Sequence, residues 1–253
     1  MKHTLILILT LSITITTSAQ DKGKFSCEFG YGTGQVAMCK LNQYYIDSLA
    51  KPQKQFKDDI KMANHGFACV RYQPGNLFDI GFFGSMMQSE IKSNPAFSSS
   101  DEVGNTTSNQ GSSSLLVQSL GYGITTNIHI NQMLKWQEKQ STFLKRCRLL
   151  TEVRVGSSIS SAIININFPT LPIANTYSRY HTNDFDGQIA LKLEYDFFKC
   201  SMLSGLGLRV GYNYSNTKTM KDQYSEEWKV LNGKAINLNF SGWFASIYLV
   251  FAK

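Results

Sequence analysis

The chain has 253 residues, a formal net charge of +7, and 17% charged against 42% hydrophobic residues. That balance excludes a disordered polymer, and 19 glycines without a three-residue period exclude a collagen-like rod. The length suits a single all-β unit, since barrels commonly use roughly 200 to 250 residues in one domain.

In chain order, residues 1–20 (MKHTLILILTLSITITTSAQ) open with a short basic start, continue with an apolar run and end in small residues. This is the anatomy of a cleaved secretory signal spanning 1–19, with the cut after Ala19. The run is shorter than the roughly 20 residues of a spanning helix. No later stretch reaches about 18 uninterrupted apolar residues, so no helical span is expected. The residue immediately after the cut is Gln20 and not cysteine, which argues against a lipoprotein.

From there the dominant signal is alternation with period two, the mark of a strand whose successive side chains point to opposite faces. Phe25, Cys27, Phe29 and Tyr31 oppose Glu28, Gly30 and Gly32. The connection 37–65 places Tyr45, Ile46, Leu49, Phe56 and Ile60 at roughly helical spacing around Pro52, and reads as a surface helix or lid. A short strand over 66–73 leads to Pro74-Gly75, the pair expected of a type II turn. Phe78, Ile80 and Phe82 then oppose Asp79 and Gly81. Residues 94–112 have the Ser/Asn/Gly composition of a flexible loop.

The fourth strand, 116–130, sets Leu116, Leu120, Tyr122, Ile124, Ile128 and Ile130 against Ser119, Gly121, Gly123, Asn127 and His129. Residues 131–148 carry Met133, Leu134, Trp136, Phe143 and Leu144. They read either as a short interfacial helix anchored by Trp136 or as a strand extension. The same segment crowds Lys135, Lys139, Lys145, Arg146 and Arg148 against one acid, Glu138. It reads as a solvated basic turn, with anionic phospholipid headgroups as the alternative partner. The fifth strand sets Leu149, Val153, Val155 and Ile159 against Glu152, Arg154, Gly156 and Ser158.

After a loop over 168–183, the sixth strand (FDGQIALKLEYDF, from Phe185) and the seventh (LGLRVGYNY, from Leu206) repeat the design with charges along one face. The last strand, 235–251, has an ambiguous phase because both faces turn hydrophobic beyond Ser241.

The fold class is therefore all-β, an antiparallel up-and-down barrel of about eight strands, with long loops at one end and short turns at the other. The charged faces are rich in glycine, serine and asparagine, which suits a crowded polar lumen. The aliphatic faces are too bulky for a narrow core. The alternative is a soluble barrel with the charges on its surface, since alternation alone does not reveal which face is outside. A closed lumen needs paired charges, so an interior network of Glu28, Arg71, Asp79, Glu152, Arg154, Lys192, Glu194 and Arg209 is expected. Parity allows Arg71 opposite Asp79, Glu194 opposite Arg209, and either Glu152 opposite Lys192 or Arg154 opposite Glu194.

The signal segment, the eight amphipathic strands and the closing strand INLNFSGWFASIYLVFAK resemble the small outer-membrane β-barrel, or porin-like, proteins of Gram-negative bacteria. The resemblance covers 24–253 and implies an outer-membrane location. Its implied partners are outer-membrane lipids including lipopolysaccharide, and the barrel assembly machinery. It departs at the C-terminus, where Phe251 is followed by Ala252 and Lys253 rather than ending the chain.

No cofactor, metal or catalytic residue is predicted. Ser178, His181 and Asp184 could form a rim constellation. But no G-x-S-x-G elbow occurs, and His181 reads as a loop residue and His129 as a lumenal filler. GYGTG, near Tyr31, lacks a phosphate-loop lysine. Five cysteines cannot all pair within one chain, although Cys147 and Cys200 fall at one end of neighbouring strands. The expected role is structural, or surface interaction through extracellular loops with an unidentified extracellular or periplasmic protein. A narrow porin and a lipid-modifying enzyme are the alternatives. Nucleic acid is not an expected partner outside the cytoplasm.

Overall fold

The computed structural model describes residues 24–46, 59–94, 96–100, 106–138, 141–169, 175–197, 203–215, 217–229 and 233–252. The expected signal segment, Leu49, Pro52, Phe56, Lys139 and Cys200 lie outside them.

Eight strands close into one ring: β1 (Lys24–Gln35), β2 (Met62–Gln73), β3 (Phe78–Ser93), β6 (Ser112–His129), β7 (Cys147–Asn167), β8 (Thr176–Asp196), β9 (Leu203–Tyr214) and β10 (Gly242–Ala252). Every neighbouring pair is antiparallel, and β1 pairs with β10 to close the ring.

The two remaining strands, β4 (Ala96–Ser100) and β5 (Thr106–Gln110), form a hairpin where a flexible loop was expected. Its register continues that of β3 with β6. The offset that pairs Ser93 with Ser113 also pairs Ala96 with Gln110 and Ser100 with Thr106. Polar composition did not prevent pairing, because an antiparallel ladder satisfies backbone groups without an apolar core.

Burial alternates along every strand of the ring, and it is inverted relative to a soluble protein. Phe82 is 73% exposed, Trp243 61%, Ile247 57% and Val210 54%, while Arg154, Lys192, Glu194 and Arg209 are 0% exposed. An apolar surface encircling the ring is unstable in water and suits hydrocarbon. Among the described residues no helix is long and apolar enough to cross a membrane.

The turn after β2 differs from expectation. Arg71 pairs with Gly81 rather than Asp79, so four residues, 74–77, make the connection. Gly75 has no positive φ, which rules out the type II turn; among the described glycines only Gly233 has one, at 76°. Within the expected loop 168–183, residues 176–183 are strand, because β8 begins at Thr176 and runs for 21 residues.

The connection 130–146 is helical, with turns at Ile130–Met133, Trp136–Glu138 and Thr142–Arg146. Long and short connections do not sort cleanly by end, since 130–146 shares an end with 74–77 and exceeds 168–175 opposite. The segment before β10 is not strand either. Residues 235–240 belong to a connection folded over the barrel mouth, and the strand begins at Gly242.

Candidate functional site: a filled lumen

Inward positions near the 74–77 turn supply charge from six strands. Glu28 on β1, Arg71 on β2, Asp79 on β3, Glu152 and Arg154 on β7, Lys192 and Glu194 on β8, and Arg209 on β9 are each no more than 3% exposed. Four cations thus face four carboxylates. Arg71 contacts Glu28 and lies 3.0 Å from Asp79 and 3.1 Å from Glu194. Lys192 Nζ reaches across the lumen to Glu28 at 2.7 Å and to Glu152 at 3.3 Å. Glu152 also accepts from Arg154 at 3.0 Å and from Arg209 Nε.

The cross-strand partners are not those that parity suggested. Glu152 lies opposite Ala190, Arg148 opposite Glu194, and Lys192 opposite Arg209. Two cations side by side would repel, but Glu152 contacts both from the neighbouring strand. In a barrel of eight strands the lumen is narrow enough for diagonal and transverse contacts to replace direct opposition. His129 and Asn127 join the network through Asp79, His129 at 3.2 Å.

Arg148, which was not assigned to the lumen from sequence, closes the lower rim with Glu194 at 3.1 Å and Asp196 at 2.6 Å. An aromatic layer was also missed. Arg154 lies 4.5 Å from the Phe67 ring centroid, Arg209 4.4 Å from Phe244, and Lys192 4.8 Å from Tyr248. These contacts shield guanidinium and ammonium groups on the side not held by carboxylates. Tyr248 also donates its hydroxyl to Glu194 at 3.0 Å. Gly207 makes room for its ring and Gly30 for the ring of Phe67, since a Cβ on either glycine would overlap the aromatic atoms it faces.

The opposite half of the lumen is apolar, which corrects the expectation of a polar interior throughout. Inward Ala63, Met87, Leu115, Val117, Ala162 and Ile164 meet Met38, Leu41, Ile46 and Ile60 from the β1–β2 connection. Met220, Trp228, Ile236, Leu238 and Phe240 come from the β9–β10 connection. Trp228 stacks on Tyr180 of β8 with centroids 4.6 Å apart.

Backbone contacts hold this cap in place. Ala37 N donates to Ser241 O at 3.1 Å, joining the two connections, and Asn213 Nδ2 donates to Phe240 O at 3.0 Å. Asn42 exchanges two hydrogen bonds with the Ile60 backbone. The helical turns Cys39–Leu41 and Asn42–Ile46 make the β1–β2 connection part of a cap rather than a surface helix.

The other candidates separate. His181 is an exposed strand residue pointing outward, and its backbone pairs with Lys221. Ser178 and Asp184 occupy positions of the opposite parity on β8, so a backbone stands between them and His181. GYGTG lies within β1 and opens no helix. Cys27, Cys39, Cys69 and Cys147 are free thiols, and a Cys147–Cys200 link falls outside the described residues. No cluster of His, Cys, Asp and Glu able to hold a metal occurs among the described residues. Trp136 sits half-buried in the connection 130–146, beside exposed Met133 and Leu134.

No family model and no curated protein matches the chain. Among solved structures it is similar to Ail, the attachment invasion locus protein of Yersinia pestis, crystallised with the heparin analogue sucrose octasulfate. Identity there is 11% and the TM-score 0.40, over 91% of this chain and 100% of that one. It is also similar to the outer membrane protein OprG from Pseudomonas aeruginosa, at 10% identity and a TM-score of 0.42, over 93% and 98% of the two chains. What decides the architecture is the inverted burial of eight closed strands.

The chain has the fold of the small outer-membrane β-barrels. In this barrel the lumen is filled by two unlike materials, charged side chains near the 74–77 turn and hydrocarbon side chains at the far mouth.

Proposed function

We propose that this barrel resides in a Gram-negative outer membrane, reached through a cleaved 1–19 signal, and that it is a non-conducting structural or surface-interaction protein. The observation that carries the reading is the filling of the lumen: a buried network of charges lies beneath an apolar cap contributed by two connections. Water and ions need a continuous polar path, and both layers oppose one. On this reading the eight lumenal charges hold the barrel's shape rather than select a solute, and Trp136 anchors the membrane interface.

The surface available for contact is the part of the sheet that outgrows the ring. β8 pairs with β9 only from Gly187 onward, while its Thr176–Asp186 portion continues alongside β7. The β4–β5 hairpin extends β3 and β6 at the same end. Lipopolysaccharide is the neighbour this protruding sheet would meet, and the barrel assembly machinery is its expected route into the membrane. The opposite facing of His181 and Ser178 favours this reading over a lipid-modifying enzyme.

Planar-bilayer recordings of the purified full chain test the proposal. The expected result is no stepwise conductance, together with flotation on phosphatidylcholine vesicles and faster gel migration before heating. Reproducible conductance steps would replace it with the porin reading.

A further inference from the structure

Adjacent antiparallel strands can be joined by two residues, yet seventeen residues, 130–146, separate β6 from β7. The first turn, Ile130–Met133, buries Asn131 at the barrel end. Met133 is 66% exposed, Leu134 52% and Phe143 61%.

This patch is continuous with the membrane face. Phe143 stacks on Tyr195, centroids 5.6 Å apart, and Tyr195 follows Ile189, Leu191 and Leu193 in the outward row of β8. The span from Phe185 to Tyr195 matches the about 9–11 residues with which a tilted strand crosses hydrocarbon. Phe143 therefore lies at the boundary, and its neighbours lie at headgroup depth. At that depth the exposed charges are mostly positive: Lys135, Lys145 and Arg146 are all exposed. Glu138 is the one acid in the segment, 3.8 Å from Lys135. Both ends of the described chain sit at this rim, where Lys24 pairs with Gln73 and Ser26 with Ala252. A short turn beside it is the periplasmic arrangement of outer-membrane barrels.

We infer that the connection 130–146 is a collar that binds anionic phospholipid of the periplasmic leaflet. Met133, Leu134 and Phe143 enter the boundary, and Lys135, Lys145 and Arg146 meet the phosphates. This rests on the outer-membrane reading above and adds a lipid class to it.

The test uses the full chain in nanodiscs holding equal phosphatidylglycerol and phosphatidylcholine, with retained lipids counted by native mass spectrometry. The expected result is about fivefold retention of phosphatidylglycerol over phosphatidylcholine. The triple variant K135Q/K145Q/R146Q should fall to parity while keeping its heat-shifted gel migration. The control R179Q/K221Q, at the other rim, should keep the preference. Should the triple variant not fold, raising salt on the unmodified chain should by itself erode the preference.

Equal retention of the two lipids by the unmodified chain would overturn the collar and leave the patch to a protein partner. An undiminished preference in the folded triple variant would overturn it as well. Failure of the barrel reading is seen separately, as failure to float with vesicles of phosphatidylcholine alone.

Discussion

The two halves of the lumen solve one packing problem by opposite means. Near the 74–77 turn, charges from six strands neutralise one another in a space closed off from the protein surface. At the far mouth, two connections fold inward and cover apolar wall residues. The difference is one of tolerance. A side chain lost from an apolar cap leaves a cavity that neighbours partly fill, whereas a charge lost from a buried network strands its partners.

The largest effect is therefore expected in the ionic half. Glu152 touches Arg154, Lys192 and Arg209, and Glu152→Leu leaves them short of one counter-charge. Unfolding in urea with the barrel in detergent should show a loss of about 3–5 kcal/mol. A loss under about 1 kcal/mol would mean that the network is more hydrated than its burial implies.

In the apolar half, Phe240→Ala should cost about 3 kcal/mol or less in global stability, because the cap collapses locally. Faster amide exchange should be confined to 217–240 and 36–46. Conductance should stay absent, since the ionic layer still blocks the lumen. Channel opening by this single change would show that the cap alone makes the seal.

The smallest effect falls where the halves meet the aromatic layer. Gly207→Ala places a methyl against the Tyr248 ring, and overpacking of this kind costs about 1–3 kcal/mol. A melting temperature unchanged within error would indicate that Tyr248 has room to move.

Much of the outer face was legible in the sequence, because one side of nearly every strand had to suit hydrocarbon along its whole length. Alternation through FDGQIALKLEYDF and LGLRVGYNY marks their outward rows, and parity places Lys192, Glu194 and Arg209 on the opposite side. The cap was not legible. Around Leu115, Leu116 and Val117, and around Ile163 and Ile164, both phases are apolar, so alternation carries no information there. The same ambiguity hid the role of Ile236, Leu238 and Phe240, which read as strand and instead fold over the mouth. Phe244 and Tyr248 add inward aromatics to outward Trp243 and Ile247, which is why β10 showed no clear phase.

By itself the sequence determined a barrel of about eight antiparallel strands and, on the strands with clear alternation, which residues share a face, since these follow from local periodicity. Only the tertiary structure decided which charges touch, because contacts across a closed ring depend on register summed over several strands. It alone placed the two connections inside the mouth, where burial is gained from residues far apart in the chain.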